Sequence, residues 1–150
     1  MDHLENIEEQ AEIALDYEQL KVLANRTSNW RERLAAVEQL GNLDNEKAID
    51  VLMHRMNNDS VYKIQEAAYR VLRTLGEDVQ MPAKKKGDSF KGSNKIMLRI
   101  KKSLPKDHTV AEFGEKFKKM RIDMYDTYEG QKGDEFDQWL EETWNSLTIR

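Results

Sequence analysis

The 150-residue chain contains no cysteine, only two prolines and only seven glycines. Without thiols there is no disulfide, no thiolate metal ligand and no cysteine nucleophile; a disulfide-stapled secreted scaffold is excluded and a reducing, cytoplasmic setting is expected. No stretch approaches the roughly 20 apolar residues of a membrane span. The start, Met1 to Glu9, is acidic and lacks the basic flank and apolar run of a signal peptide, so neither export nor membrane insertion is expected. Few helix breakers beside 35% charged and 39% hydrophobic residues make a helical, well-solvated chain, with room for one domain or a small domain with an appendage.

What the chain does have is a segment that occurs twice. Trp30-Arg31-Glu32-Arg33-Leu34-Ala35-Ala36-Val37-Glu38-Gln39-Leu40 is followed 32 positions later by Tyr62-Lys63-Ile64-Gln65-Glu66-Ala67-Ala68-Tyr69-Arg70-Val71-Leu72. That period is the length of a helical hairpin and too long for a coiled-coil heptad. Before it, Leu4, Ile7, Ala11, Ala14, Tyr17, Leu20 and Ala24 follow three-and-four spacing and predict one helix, straight or bent, over 4–24. Asn29 with Glu32 forms a candidate capping box for a helix ending at Gly41. Asp44 or Asn45 caps a second, in which Ala48, Ile49, Leu52 and Met56 share a face. Asn57 to Ser60 recap a third, with Val61, Ile64, Ala68, Val71 and Leu75 as its stripe and Gly76 as its end.

Antiparallel helix pairs with Ala-Ala at close approaches and short polar turns are the makings of an α-solenoid. On these residues Asn29 to Gly76, about a third of the chain, resembles HEAT-type repeats of the short bacterial class: basic Arg31 or Lys63 early, the Ala-Ala pair, Leu40 or Leu72, then Leu43 or Leu75. Where the family commonly has Val-Arg, this chain has Trp30-Arg31 and Tyr62-Lys63. The resemblance implies an all-α fold that works by offering a surface to another protein. About one and a half units are visible where roughly three are usually needed for stability, so the preceding helix is expected to act as a capping unit and something C-terminal to cover the other end.

Periodicity fails from Glu77 to Gly92, where Met81-Pro82-Ala83-Lys84-Lys85-Lys86-Gly87-Asp88-Ser89 reads as a mobile linker or long loop. Beyond it, Ser93 or Asn94 opens a helix with Ile96, Met97, Ile100 and Leu104 on one side, closed by Pro105. Thr109 and Glu112 form a second capping box ahead of Val110, Phe113, Phe117 and Met120. A final helix from about Asp134 aligns Phe136, Trp139, Leu140, Trp144 and Leu147. The expected architecture is a short solenoid of HEAT-like hairpins followed by a C-terminal helical bundle: 1–76, a basic linker 77–93, and 94–150. This last part resembles no recognised family.

Catalytic and metal patterns are not found. His3, His54 and His108 lack a histidine partner at i+4, and Asp50-His54 and His108-Glu112 have no third ligand. Asp123, Asp126, Glu129 and Asp134 miss the calcium-loop spacing; they read as solvated loop carboxylates, with Asp134 as a helix cap. There is no Gly-x-Ser-x-Gly or Gly-x-Gly-x-x-Gly, and Gly87 and Gly92 precede Ser-Asn rather than Lys-Ser. No cofactor, metal or enzymatic activity is expected.

Charge is segregated: by Lys and Arg against Asp and Glu, 84–121 carries +9 whereas 1–26 carries −5 and 122–150 carries −6. Lys84, Lys85, Lys86 and Lys91 precede a helix with Lys95, Arg99 and Lys102 on one face. The expected function is a protein-interaction scaffold or adaptor, with contacts through Arg31, Tyr69, Arg70, Arg73, Lys84, Lys85, Lys86, Lys95, Arg99 and Lys102. The alternative is a nucleic-acid binder using 84–102; Glu112 and Glu115, four residues before Lys116 and Lys119, and the acidic pI near 5.5 weigh against it. Trp139 and Trp144 read as core, while Trp30 and Tyr62 either pack between units or line the concave surface.

Overall fold

The computed structural model describes residues 16–43, 45–84 and 90–148, and among these every regular element is helical. The expected positions Leu4, Ile7, Ala11, Ala14, Asp44, Lys85 and Lys86 lie outside the described residues. The chain divides into two compact units, one made of Met1–Arg26, Arg31–Asp59 and Ile64–Pro82, the other of Thr27–Trp30, Ser60–Lys63 and Ala83–Arg150.

In the first unit, α1 runs over Tyr17–Ala24. Asp16 is extended, at φ −79° and ψ 173°, and closes a capping box with Gln19, so the helix opens there. α2 (Trp30–Leu40) and α4 (Tyr62–Thr74) are the duplicated segments, separated by α3 (Glu46–Asn58), which Asn45 caps through the Lys47 N–H. Leu20, Ala36, Val37, Leu40, Leu52, Ile64, Ala68 and Leu72 are at most 1% exposed and form the core. The Ala-Ala pairs are not equivalent: Ala67 and Ala68 are both buried, whereas Ala35 is exposed and only Ala36 is buried.

The α4 stripe is shifted from the expected one. Leu72 is in the core, Val71 is half-buried and Leu75 is exposed. Gly76, at φ +89°, ends α4 as a left-handed cap, with the Glu77 N–H returning to the Leu72 carbonyl. Gly41 after α2 serves a different purpose. A Cβ there would sit 2.6 Å from Val71 Cγ1, so glycine is needed for close approach. The stretch from Glu77 in which periodicity fails begins with an anchor, because Val79 is 8% exposed.

In the second unit, α5 (Ser93–Lys102), α6 (Val110–Met120), α7 (Ile122–Lys132), a 3-10 turn (Gly133–Glu135) and α8 (Phe136–Ser146) enclose an aromatic-rich core. Met97, Ile100, Phe113, Phe117, Met124, Tyr128, Phe136, Leu140 and Leu147 are buried, and Tyr125, Trp139 and Trp144 pack against them. The Thr109–Glu112 capping box forms as expected. Two expectations are corrected. Residues 123–133 are mostly helix, and Asp134 lies inside the 3-10 turn and caps nothing. α7 has no single apolar stripe because it buries Asp126, Thr127 and Gly130 as well as Met124 and Tyr128, which hides it from a search for periodicity.

Candidate interaction surface

The starts of both duplicated helices belong to the second unit, where α7 supplies acceptors for N–H groups that the first turn of a helix cannot bond internally. The Trp30 N–H donates to Asp126 Oδ1 at 2.8 Å, and the Tyr62 N–H to Gln131 Oε1 at 3.1 Å. Gln131 returns a bond to the Ser60 carbonyl at 2.9 Å, and Thr127 Oγ1 donates to Ser60 Oγ at 3.0 Å. The Trp30 indole donates to Glu129 at 3.1 Å. Gly130 fits beneath Val61 and Trp30, where a Cβ would meet Val61 Cγ2 at 2.7 Å. Trp30 is therefore a buried, hydrogen-bonded residue of the second unit and not part of an open concave surface. The matched sequence positions are read by α7 residues five apart, and nothing in the sequence alone pairs 30 with 126.

The acidic residues read as solvated loop groups take different roles. Asp126 is 4% exposed and is the helix-capping acceptor. Asp123 pairs with Arg121 at 3.0 Å. That hydrogen bond holds the Asp123 carboxyl below its ordinary range against the opposing effect of burial, with backbone bonds and the arginine charge helping, and it raises Arg121 in turn.

Most cations are spoken for. Arg33, 1% exposed, binds Asp59 through Nε at 3.0 Å and reaches the Arg26 carbonyl at 2.7 Å, and Arg55 also reaches Asp59 at 3.0 Å. The buried arginine of the repeat is thus Arg33, two positions beyond exposed Arg31. Lys63 lies over Trp30 at 5.0 Å, Lys84 over Tyr62 at 5.5 Å, and Lys132 over Trp139 at 5.8 Å. Lys101 donates to the carbonyls of Trp144 and Leu147 at 2.6 and 2.7 Å.

Two groups of the remaining cations share a helix face. In the first unit Arg70 and Arg73 are exposed on α4; Arg73 stands 3.7 Å from a fully exposed Asp78, and Tyr69 beside them is half-buried. In the second unit Lys95, Arg99 and Lys102 are exposed at i, i+4 and i+7 of α5, a helix with no carboxylate. Among the described residues none of these three makes an ion pair. The structure thus brings together Lys95, Arg99 and Lys102 on one helix face and Arg70 and Arg73 on another, whereas Lys84 is turned onto Tyr62.

The two described histidines, His54 and His108, are bonded locally. His54 contacts the Asn58 amide at 3.2 Å, and His108 accepts from the Trp144 indole at 2.9 Å while its Nδ1 faces the Pro105 carbonyl at 2.7 Å. Among the described residues no three His, Asp or Glu side chains gather as metal ligands, and no helix is long and apolar enough to cross a membrane. A shallow groove of about 500 Å³ between α1 and α3 is lined by Tyr17, Lys21, Lys47, Asp50 and His54, among others. It opens widely to solvent.

Neither the curated proteins nor the solved structures contain a match to this chain. Residues 17–83 match the family model of HEAT repeats, which extends the resemblance beyond 29–76 to include α1 and the segment holding Val79. Over that stretch the chain is a HEAT-like repeat protein.

Proposed function

We propose that the chain is a non-enzymatic scaffold or adaptor that binds another protein through exposed, unpaired cations on its helices. HEAT repeats are generally protein-interaction scaffolds. The observation that carries the reading is the division of the cations. Those in the core, under α7 or over aromatic rings already have partners, while Arg70, Lys95, Arg99 and Lys102 project from helix faces without an ion pair among the described residues. Such groups steer association and make it salt-sensitive. The proposed contact set also takes in Arg31, Tyr69, Arg73 and Lys84, of which Arg73 stands by Asp78 and Lys84 over Tyr62, together with Lys85 and Lys86.

The absence of carboxylates on α5 also suits phosphate, and it sustains nucleic-acid binding through 84–102 as a second reading. A low-salt titration separates the two. The adaptor reading expects no retention of duplex or single-stranded oligonucleotide, and expects a discrete protein captured by the wild type to be lost when Arg70 and Arg73, or Lys95, Arg99 and Lys102, are changed to Glu. Tight oligonucleotide binding that weakens steeply with salt would overturn it.

A further inference from the structure

The second unit carries two oppositely charged helix faces. The face of α5 presents Lys95, Arg99 and Lys102, all exposed, on a helix without acidic residues. The 3-10 turn and α8 present Asp134, Asp137 and Glu141, also exposed, in a stretch without Lys or Arg. Neither set forms ion pairs among the described residues, so the two faces do not neutralise one another within one molecule.

The spacings also match. The cations are separated by four and then three residues. Read in reverse from Glu141, the anions are separated by four, to Asp137, and then three, to Asp134. Laid antiparallel, the faces pair Lys95 with Glu141, Arg99 with Asp137 and Lys102 with Asp134 over about 10 Å of helix axis. The reverse orientation puts the central pair out of register by one residue.

We propose that the occupant of the α5 face is a second copy of this chain, which docks its α8 face there. The proposal deepens the reading of α5 as a protein-docking surface and rests on it. Every molecule carries both faces, so a two-fold arrangement lets both contacts form at once and closes the assembly. Exposed pairs are individually weak and screened by salt. The association is therefore a low-salt, concentration-dependent one that local charge density can promote.

The test is the mass of the full-length protein by sedimentation velocity at about 20 mM and about 500 mM salt, where the screening length falls from about 20 to about 4 Å. Three proteins are compared: wild type, the triple variant K95E/R99E/K102E, and the triple variant D134K/D137K/E141K, each checked for helical content. The expected result is a mass that rises with concentration for the wild type at low salt only. Each variant alone stays at monomer mass, and their equimolar mixture associates, because mixing restores opposite charges at both contacts. A wild type that is monomeric at low salt, or a mixture that stays dissociated, overturns the proposal. So does self-association that survives D134K/D137K/E141K while K95E/R99E/K102E abolishes it; that result leaves α5 as a protein-docking face with a different occupant. Loss of oligonucleotide retention in K95E/R99E/K102E, with every protein monomeric, overturns the adaptor reading as well.

Discussion

Asp59 holds Arg33 by both carboxylate oxygens, Oδ2 to Nε at 3.0 Å and Oδ1 to Nη2 at 3.3 Å, with side chains 2% and 0% exposed. Arg55, one turn before Asp59 on the same stretch, adds a third bond at 3.0 Å. Two guanidinium groups sharing it offset the cost of burying this carboxylate.

Asp59→Ala takes this counter-charge from both arginines, although Arg33 keeps the Arg26 carbonyl, and removing one partner of a buried ion pair costs about 3–5 kcal/mol. Arg33→Met leaves Asp59 bonded to Arg55 and keeps much of the packed volume, so its loss is the smaller of the two. Urea denaturation with a shared slope gives both values. An Asp59→Ala variant no less stable than Arg33→Met contradicts the shared-carboxylate account.

Gly130 tests how tightly α7 meets the start of the duplicated helices. Alanine is favoured over glycine inside a helix by about 1 kcal/mol, yet its Cβ would approach Val61 Cγ2 and Cγ1 to 2.7 and 2.9 Å and Trp30 Cγ to 3.1 Å. Overpacking costs typically about 1–3 kcal/mol, so Gly130→Ala is expected to destabilise by about 1 kcal/mol net. In a Val61→Ala background the clash is relieved and the same change is expected to be neutral or stabilising. Thermal melts of the four chains in this cycle read the sign, and equal effects in both backgrounds remove Val61 from the explanation.

How much of this was legible in the sequence depends on whether the signal is periodic. The duplicated segment, the Thr109–Glu112 box and the aromatic positions of α8 recur at helical spacing and read directly as all-α. The pattern of 29–76 also located the segment that the HEAT-repeat match covers. Arg33 was missed because burying a charge depends on a partner 26 residues away, and the repeat offers no duplicate to flag it: its counterpart is Gln65, which donates to the Met56 carbonyl. Helix α7 was missed because it buries polar and apolar residues alike. Of the candidate surface, the α5 cations were legible from spacing alone, whereas Lys84 and Lys101 are indistinguishable from them until the ring and carbonyls they touch are seen.

Acid weakens one surface pair in a defined direction. The Arg121 hydrogen bond places the folded Asp123 carboxyl below its unfolded value, so the bond's contribution is fully present above the unfolded value, near 3.9, and is lost as pH falls through the lower folded one. The side chains are 52% and 34% exposed, and exposed pairs contribute at most about 1 kcal/mol. Carbon-detected NMR titration is expected to show Asp123 protonating at lower pH than a free aspartate, and Arg121→Gln to move it upward. An unchanged midpoint in that variant assigns the shift to backbone bonds.

Adjacent lysines provide the sharpest internal control. Lys101 is half-buried, donates to the Trp144 and Leu147 carbonyls at the end of α8, and lies 5.1 Å from the Trp144 ring, while Lys102 is exposed and unpaired among the described residues. A cation there adds charged bonds at the Leu147 carbonyl and at the Trp144 carbonyl, which also accepts the Leu147 N–H at 3.4 Å, and faces the negative end of the helix dipole. Lys101→Met keeps most of the aliphatic stem but removes both donors, and hydrogen bonds to a charged group contribute about 1.5–3 kcal/mol. The expected loss is about 2 kcal/mol, accompanied by a change in Trp144 emission. Lys102→Met removes the same formal charge one residue away, so any general effect of net charge appears in both. Its stability is expected to stay within about 0.5 kcal/mol of wild type, as for surface changes that touch nothing, while its low-salt association weakens. Equal stability losses in the two variants would mean that charge, and not the capping geometry at Trp144 and Leu147, sets the value of Lys101.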